Sequence, residues 1–195
     1  KYDAMTLPRF EAQHFRSRDF SSEAFTRGYY DTCTFKDCHF NATKLSHSQF
    51  AECTFDSCDL SAARIDDTAF KTVTFRECKL VGLYFEHCHF FLLDLRFERC
   101  QLHLSSFQKV PLSETVLADC DLREVDFSAA DLRRADFSGS TLERAVFYRS
   151  QLESADFRRA RHYSINPAEN RVRGARFHRH GLAGLLHHFE LDLSG

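Results

Sequence analysis

Large apolar residues recur at every fifth position along most of this 195-residue chain. From Phe10 the series runs Phe15, Phe20, Phe25, Tyr30, Phe35, Phe40, Leu45, Phe50, Phe55, Leu60, Ile65, Phe70, Phe75, Leu80, Phe85, Phe90 and Leu95. After a two-residue slip it resumes at Leu102 and continues through Phe107, Leu112, Leu117, Leu122, Phe127, Leu132, Phe137, Leu142, Phe147, Leu152 and Phe157. Most of the 21 phenylalanines lie on this series, designated position i. Two residues earlier, at i−2, stands a second series of mostly small side chains, from Cys33, Cys38, Thr43 and Ser48 to Ala130, Ala135 and Ser140. All eight cysteines belong to it.

A period of five excludes the two common regular elements. On a helix, five steps of about 100° carry the series round the barrel, leaving no stable face. On a straight strand an odd period sends successive large residues to opposite faces. The pattern is satisfied if the chain turns a corner at i+1 and i+2 in every pentad. Positions i−2 and i then both point inward from a short extended side. Four sides close a square coil, and coils stack at ~4.8 Å, the spacing of paired strands, to give a rod of about 36 Å. The expectation is an all-β solenoid over residues 10–160. Residues 1–9 form an N-terminal extension, of which residues 1–4, ahead of the single Met, are expected to be a remnant foreign to the repeat.

The stretches Ala130-Asp131-Leu132-Arg133-Arg134, Ala135-Asp136-Phe137-Ser138-Gly139 and Ala155-Asp156-Phe157-Arg158-Arg159 resemble the A(D/N)LXX consensus of the pentapeptide-repeat family. The N-terminal half is similar to a cysteine-rich version, as in Cys53-Thr54-Phe55-Asp56-Ser57. The resemblance implies a right-handed quadrilateral β-helix. It says little of function, because one fold hosts several roles.

Cysteine and histidine content invites a metal or redox reading, and the frame argues against it. The cysteines are spaced by fives and multiples of five, not as C-x-x-C. A buried i−2 cysteine serves as a small hydrophobe. In His87-Cys88-His89 the frame sends the three side chains in different directions. His178, His180, His187 and His188 are read as a solvated helix face. No glycine-rich phosphate loop or H-E-x-x-H is present. The expectation is therefore no enzyme, no metal and no cofactor. No apolar run approaches the ~18 residues of a membrane span, and no basic-then-apolar leader opens the chain, so a cytoplasmic protein with reduced thiols is expected.

The slip is expected at Arg96 and Phe97, as a bulge or a join between two coil segments. Beyond Phe157 the repeat fades. Asn166-Pro167 reads as a helix start, Gly174 as its end, and Ala175-Arg176-Phe177 as a last coil side. Leu182, Leu185, Leu186 and Phe189 fall at i, i+3, i+4 and i+7, predicting an amphipathic helix within a C-terminal cap, residues 161–195. Leu191 and Leu193 predict a short strand. Such a helix covers the open end of a solenoid.

A coil with a mid-chain break, a terminal helix and a short tail resembles the Qnr, MfpA, AlbG and McbG group. Phe97-Glu98-Arg99-Cys100 and the end from Gly184 to Ser194 are most similar to the albicidin self-resistance member, AlbG. With no insertion longer than two residues in the coil, the chain resembles the loop-free members of that group. The resemblance implies a non-enzymatic factor that protects a type II topoisomerase, DNA gyrase or topoisomerase IV, from poisons such as quinolones or albicidin by mimicking DNA. It also implies a homodimer formed through Leu182, Leu185, Leu186, Phe189 and Leu191, with no direct nucleic-acid binding. The partner surface would be acidic: Asp37, Asp56 and Glu77 on one face, continued by Asp119, Asp136 and Asp156, and Asp66, Asp67 and Glu86 on another. Arg133, Arg134, Arg158 and Arg159 interrupt it. The alternative is a scaffold solenoid with a different protein partner.

Overall fold

The computed structural model describes residues 7–191. Ten short strands stack in two parallel sheets, with successive strands of a sheet one coil apart. In the first sheet β1 (Arg9–Glu11), β3 (Tyr29–Asp31), β5 (Gln49–Ala51) and β7 (Ala69–Lys71) lie in that order. In the second, β2 (His14–Arg16), β4 (Thr34–Lys36), β6 (Thr54–Asp56), β8 (Val73–Arg76), β9 (Leu95–Glu98) and β10 (Val116–Ala118) follow one another. Isolated parallel bridges such as Asp59↔Lys79 and Lys44↔Arg64 mark the two other sides of the coil. Phe10 pairs with Tyr30 and Phe15 with Phe35, so the offset is one coil of four pentads. This is the square coil that the period demands.

The i side chains form continuous columns. Phe15, Phe35, Phe55 and Phe75 stack with ring centroids 4.8, 4.7 and 5.0 Å apart. Rings on adjacent sides meet edge to face, as Phe35 and Phe40 do at 5.6 Å. Both are favoured aromatic geometries, contributing about 0.5–1.5 kcal/mol per pair beyond area burial.

Many corners are closed by a backbone hydrogen bond. In Leu60–Ala63 the Ala63 N–H donates to Leu60 O at 3.0 Å, and Ala62 at i+2 has φ of 55°. A positive φ at the third residue of a four-residue turn is the type II arrangement. Position i+2 is left-handed along the rod, and at most corners it is not glycine: Asp37, Glu77, Asp119 and Arg134 have φ between 51° and 60°. The same residue's N–H repays part of that strain by donating to the next coil, as Asp37 does to Asp56 O at 3.0 Å.

Position i−2 does more than fill a narrow space. At several of these positions a Cys, Thr or Ser side chain donates to the carbonyl of an i residue 23 positions earlier, in the preceding coil: Cys58 Sγ to Phe35 O (3.3 Å), Cys78 Sγ to Phe55 O (3.4 Å), Thr68 Oγ1 to Leu45 O (3.1 Å), Ser140 Oγ to Leu117 O (2.7 Å). All eight cysteines are buried free thiols. Burial pushes Cys53 up to about 12 and raises Cys78 and Cys88 as well, so they are protonated donors.

The frame slip differs from expectation. Arg96 and Phe97 are not the inserted pair: they lie inside β9, where Arg96 pairs with Thr74 and Phe97 with Phe75. Phe97 is fully buried, 5.4 Å from the Phe75 ring, and Leu117 continues its column. Leu95 holds the i−2 place opposite Val73. The two extra residues fall between His89, which still bridges Ala69, and Asp94, whose N–H donates to Phe70 O. There Phe90 is pushed partly out, and Phe91 and Leu92 project at 64% and 62% exposure. An aromatic ring beneath Phe75 buries more area than Leu95 would, and that selects the register.

The coil also outlasts residue 160. Bridges Gln151↔Arg171 and Asp156↔Arg176 extend the ladder, and Phe177 stacks on Phe157 at 5.1 Å. Ala175–Phe177 is thus a coil side, as read, whereas Asn166-Pro167 starts a turn rather than a helix: Asn166 Oδ1 accepts from Ala168 N–H. The amphipathic helix shrinks to one turn, α1 (Ala183–Leu186), flanked by 3-10 turns at Arg179–Gly181 and His187–Phe189. Leu185 packs against the core and caps it. Leu191 is exposed and lies in no strand, and Leu193 lies outside the described residues. No helix among the described residues is long and apolar enough to cross a membrane.

Candidate partner-binding surface

Because residues one coil apart stack, each outward position forms a column along the rod, and neighbouring rungs decide its charge. The column at i+1 of the second sheet reads Lys36, Asp56, Arg76, Glu98. Its members neutralise one another: Lys36 lies 3.9 Å from Asp56, and Arg76 lies 3.0 Å from Glu98. The adjacent i+2 column brings Glu77 to Arg99 at 3.0 Å. The expected acidic face of Asp37, Asp56 and Glu77 is therefore a mixed one, with Asp37 and Asp119 exposed at its corner.

Asp136 and Asp156 have another task. They sit at i−1, on the flat side, where a carboxylate reaches the N–H two residues on. Asp136 Oδ1 accepts from Ser138 N–H (2.9 Å) and Oγ–H (2.6 Å). Asp156 Oδ1 accepts from Arg158 N–H, and its Oδ2 meets the Arg158 and Arg176 guanidinium groups at 2.7 and 3.0 Å. Asp121 with Arg123 and Asp131 with Arg133 repeat the device. In all three aspartates paired to arginine, the side-chain hydrogen bond from the guanidinium holds the carboxyl below its ordinary range. These aspartates staple the corner and carry little free negative charge.

The acidic side chains that stay together on the outside are Asp66, Asp67 and Glu86. Asp66 and Asp67 are the i+1 and i+2 residues of one corner, and Glu86 is the i+1 residue one coil above. Their partners are weak ones: His87 Nδ1 lies 3.5 Å from Asp66, and His47 Nδ1 lies 3.6 Å from Asp67, each charged only when protonated. Ser46 Oγ donates to Asp66 at 3.3 Å. After burial, the negative field of Glu86, Asp66 and Asp67 is what raises the Cys88 thiol beneath them. Glu86 is half-buried, and its Oε2 is buried with no hydrogen-bond partner. Two successive coils thus carry three carboxylates, about one per 3 Å of axis at ~4.8 Å per coil, against one charge per ~1.7 Å in duplex DNA.

His87 and His89 do not converge. His87 pairs with Asp66, and His89 Nδ1 accepts from Phe91 N–H. Among the described residues no group of three or more His, Cys, Asp or Glu side chains is placed to hold a metal ion. At the C-terminal end Leu182, Phe189 and Leu191 are exposed and Leu186 is half-buried, while Leu185 faces inward.

Parallel square coils, a left-handed residue at the corners and a large apolar residue at every fifth place define a quadrilateral β-helix. The chain belongs to the pentapeptide-repeat family: the family model described as a pentapeptide repeat region matches residues 9–85 and 83–157. Among solved structures, a trypsin-treated form of QnrB1, a plasmid-mediated fluoroquinolone resistance protein, aligns over 96% of this chain and 100% of its own at 17% identity, with a TM-score of 0.63. A second trypsin-treated form aligns over 94% and 99% at 18% identity, with a TM-score of 0.57. HetL, a pentapeptide repeat protein involved in heterocyst differentiation regulation from the cyanobacterium Nostoc sp. strain PCC 7120, aligns over 87% and 85% at 15% identity, with a TM-score of 0.52. No curated protein matches the sequence. At these identities the likeness is one of fold.

Proposed function

We propose that this chain is a non-enzymatic protein that binds a type II DNA topoisomerase, gyrase above all, and protects it from a poison by occupying a surface meant for DNA. The observation that carries the reading is the corner of exposed Asp66 and Asp67 with half-buried Glu86, a cluster of carboxylates on a stiff rod whose ion pairs among the described residues are with histidines. The end-to-end match to a fluoroquinolone resistance protein supports it at the level of architecture. The mimicry is local. The second-sheet face is charge-balanced, so contact is made through this corner and not along the whole rod.

Two subunits associate through the exposed Leu182, Phe189 and Leu191, which doubles the length of the rod. Leu185, which caps the core, is not part of that contact. The test is a supercoiling assay with purified gyrase, a quinolone or albicidin, and increasing amounts of the protein. Restored supercoiling supports the reading. Neither rescue nor inhibition at any ratio refutes it and favours a scaffold solenoid, the reading for which the HetL likeness gives an architectural precedent.

A further inference from the structure

The C-terminal end of the rod has the opposite character to the acidic corner. Between residues 158 and 179 the sequence is rich in arginine, and its one acidic residue is Glu169. Asp156, just before it, takes Arg158 and Arg176. Arg159 and Arg161 are exposed and make no ion pair among the described residues. Both line a cleft of about 610 Å³ between the last coils and the C-terminal turns.

The cleft is built rather than incidental. Its floor is Tyr163, 6% exposed, whose hydroxyl has no hydrogen-bond partner. The far wall is the turn containing Gly181 and Gly184, which presses on Tyr163 so closely that a Cβ on Gly181 would lie 2.0 Å from the hydroxyl oxygen, and one on Gly184 would lie 2.2 Å from the Tyr163 carbonyl. On that wall the His178 and His180 rings stack on one another, 5.0 Å apart at 30°, and both line the cleft beside the arginines. The volume falls within the range of about 300–1,000 Å³ typical of small-molecule sites and exceeds what a lone phosphate needs.

We propose that this cleft binds a nucleotide phosphate: Arg159 and Arg161 grip the phosphate oxygens, and the imidazole pair supplies a stacking surface for the base. Planar guanidinium groups match phosphate geometry, and sequence-tolerant binding of nucleotides elsewhere pairs cationic grooves with aromatic platforms. The ligand is a free nucleotide or a nucleotide within a single strand, and the inference is independent of the topoisomerase reading.

Calorimetric titration of the full chain tests it, with adenosine monophosphate, adenosine and a short single-stranded oligonucleotide as probes. Adenosine monophosphate should bind at least about tenfold more tightly than adenosine, and Arg159→Ala with Arg161→Ala should weaken it at least about tenfold. Arg171→Ala, outside the cleft, should leave binding unchanged. A strand that binds more than about tenfold tighter than the mononucleotide assigns the site to nucleic acid, and equal affinities assign it to the free nucleotide. Both arginines are exposed, so the double variant should keep the wild-type circular dichroism spectrum. The proposal is overturned if neither phosphate probe binds at millimolar concentration, or if the folded double variant binds them as tightly as the parent.

Discussion

Replacing Phe97 by alanine should be among the most damaging single changes in the coil, and replacing Phe91 should hardly be felt. Phe97 is fully buried: its ring stacks on Phe75 at 5.4 Å and meets the edges of Phe85 and Phe107 at 5.7 and 5.9 Å. Truncating such a ring removes its transfer energy and leaves a cavity that rigid neighbouring coils cannot close, which costs about 3–5 kcal/mol. For a domain of this length that lowers Tm by roughly 6–20 °C. Phe91 is 64% exposed, and its Ala variant should stay within about 0.5 kcal/mol of the parent. Urea and thermal denaturation followed by circular dichroism measure both. If Phe97→Ala proves neutral while Phe91→Ala costs several kcal/mol, the insertion lies at residues 96–97 after all and the register of the second coil segment is wrong.

Other consequences follow from the same geometry. The eight thiols should resist Ellman's reagent in the native protein and react on unfolding, because all are buried out of the reagent's reach and burial also raises Cys53, Cys78 and Cys88. Cys78→Leu should destabilise by about 1–3 kcal/mol through overpacking, and Cys78→Ser, which keeps a donor for Phe55 O, by less. Asp121, Asp131 and Asp156 have folded-state pKa values below their unfolded ones, so their contribution is present above about pH 4 and disappears as pH falls through the folded values. A variant with all three changed to alanine should therefore lose stability at pH 7 and show a shallower decline on acidification, as acid denaturation curves would record. Leu182→Asp with Phe189→Asp should convert a dimer to a monomer in light scattering without lowering Tm, since neither side chain is buried in the coil.

How much of this was legible in the sequence depended on which property each position selects. The i series is read directly, because only large apolar side chains fill the centre of a square coil, and the corners at i+1 and i+2 follow from it. The sequence alone does not locate the insertion, because Leu95 and Phe97 are both apolar and both fit a count of five. Only the neighbouring coil distinguishes them, through the Phe75 ring. The small size of the i−2 residues is plain in the sequence, and the frequent Cys, Thr and Ser among them, all donors, is the available sign that several serve carbonyls of the neighbouring coil. Asp136 and Asp156 looked like surface charge, although Asp136-Phe137-Ser138 carries the spacing of a side-chain-to-backbone staple. Charge on a solenoid surface is set by rungs a coil apart in the chain. Lys36 opposite Asp56 and Arg99 opposite Glu77 could be paired only once the register was known. The cleft over Tyr163 depends on Gly181 and Gly184 folding back on a residue about twenty positions earlier, which no local pattern announces.

The central functional claim is best tested by charge reversal at the acidic corner within the supercoiling assay. Asp66→Lys, Asp67→Lys and Glu86→Lys combined, beside a control with Asp136→Asn, should be compared with the parent for rescue of poisoned gyrase. Asp66 and Asp67 are exposed and Glu86 is half-buried, none of them in the apolar core, so the triple variant should keep its fold by circular dichroism. The account predicts rescue by the parent and the control, and a loss of at least about tenfold in potency for the triple variant, about 1.4 kcal/mol of binding energy or more. A folded triple variant that rescues gyrase as well as the parent would contradict it.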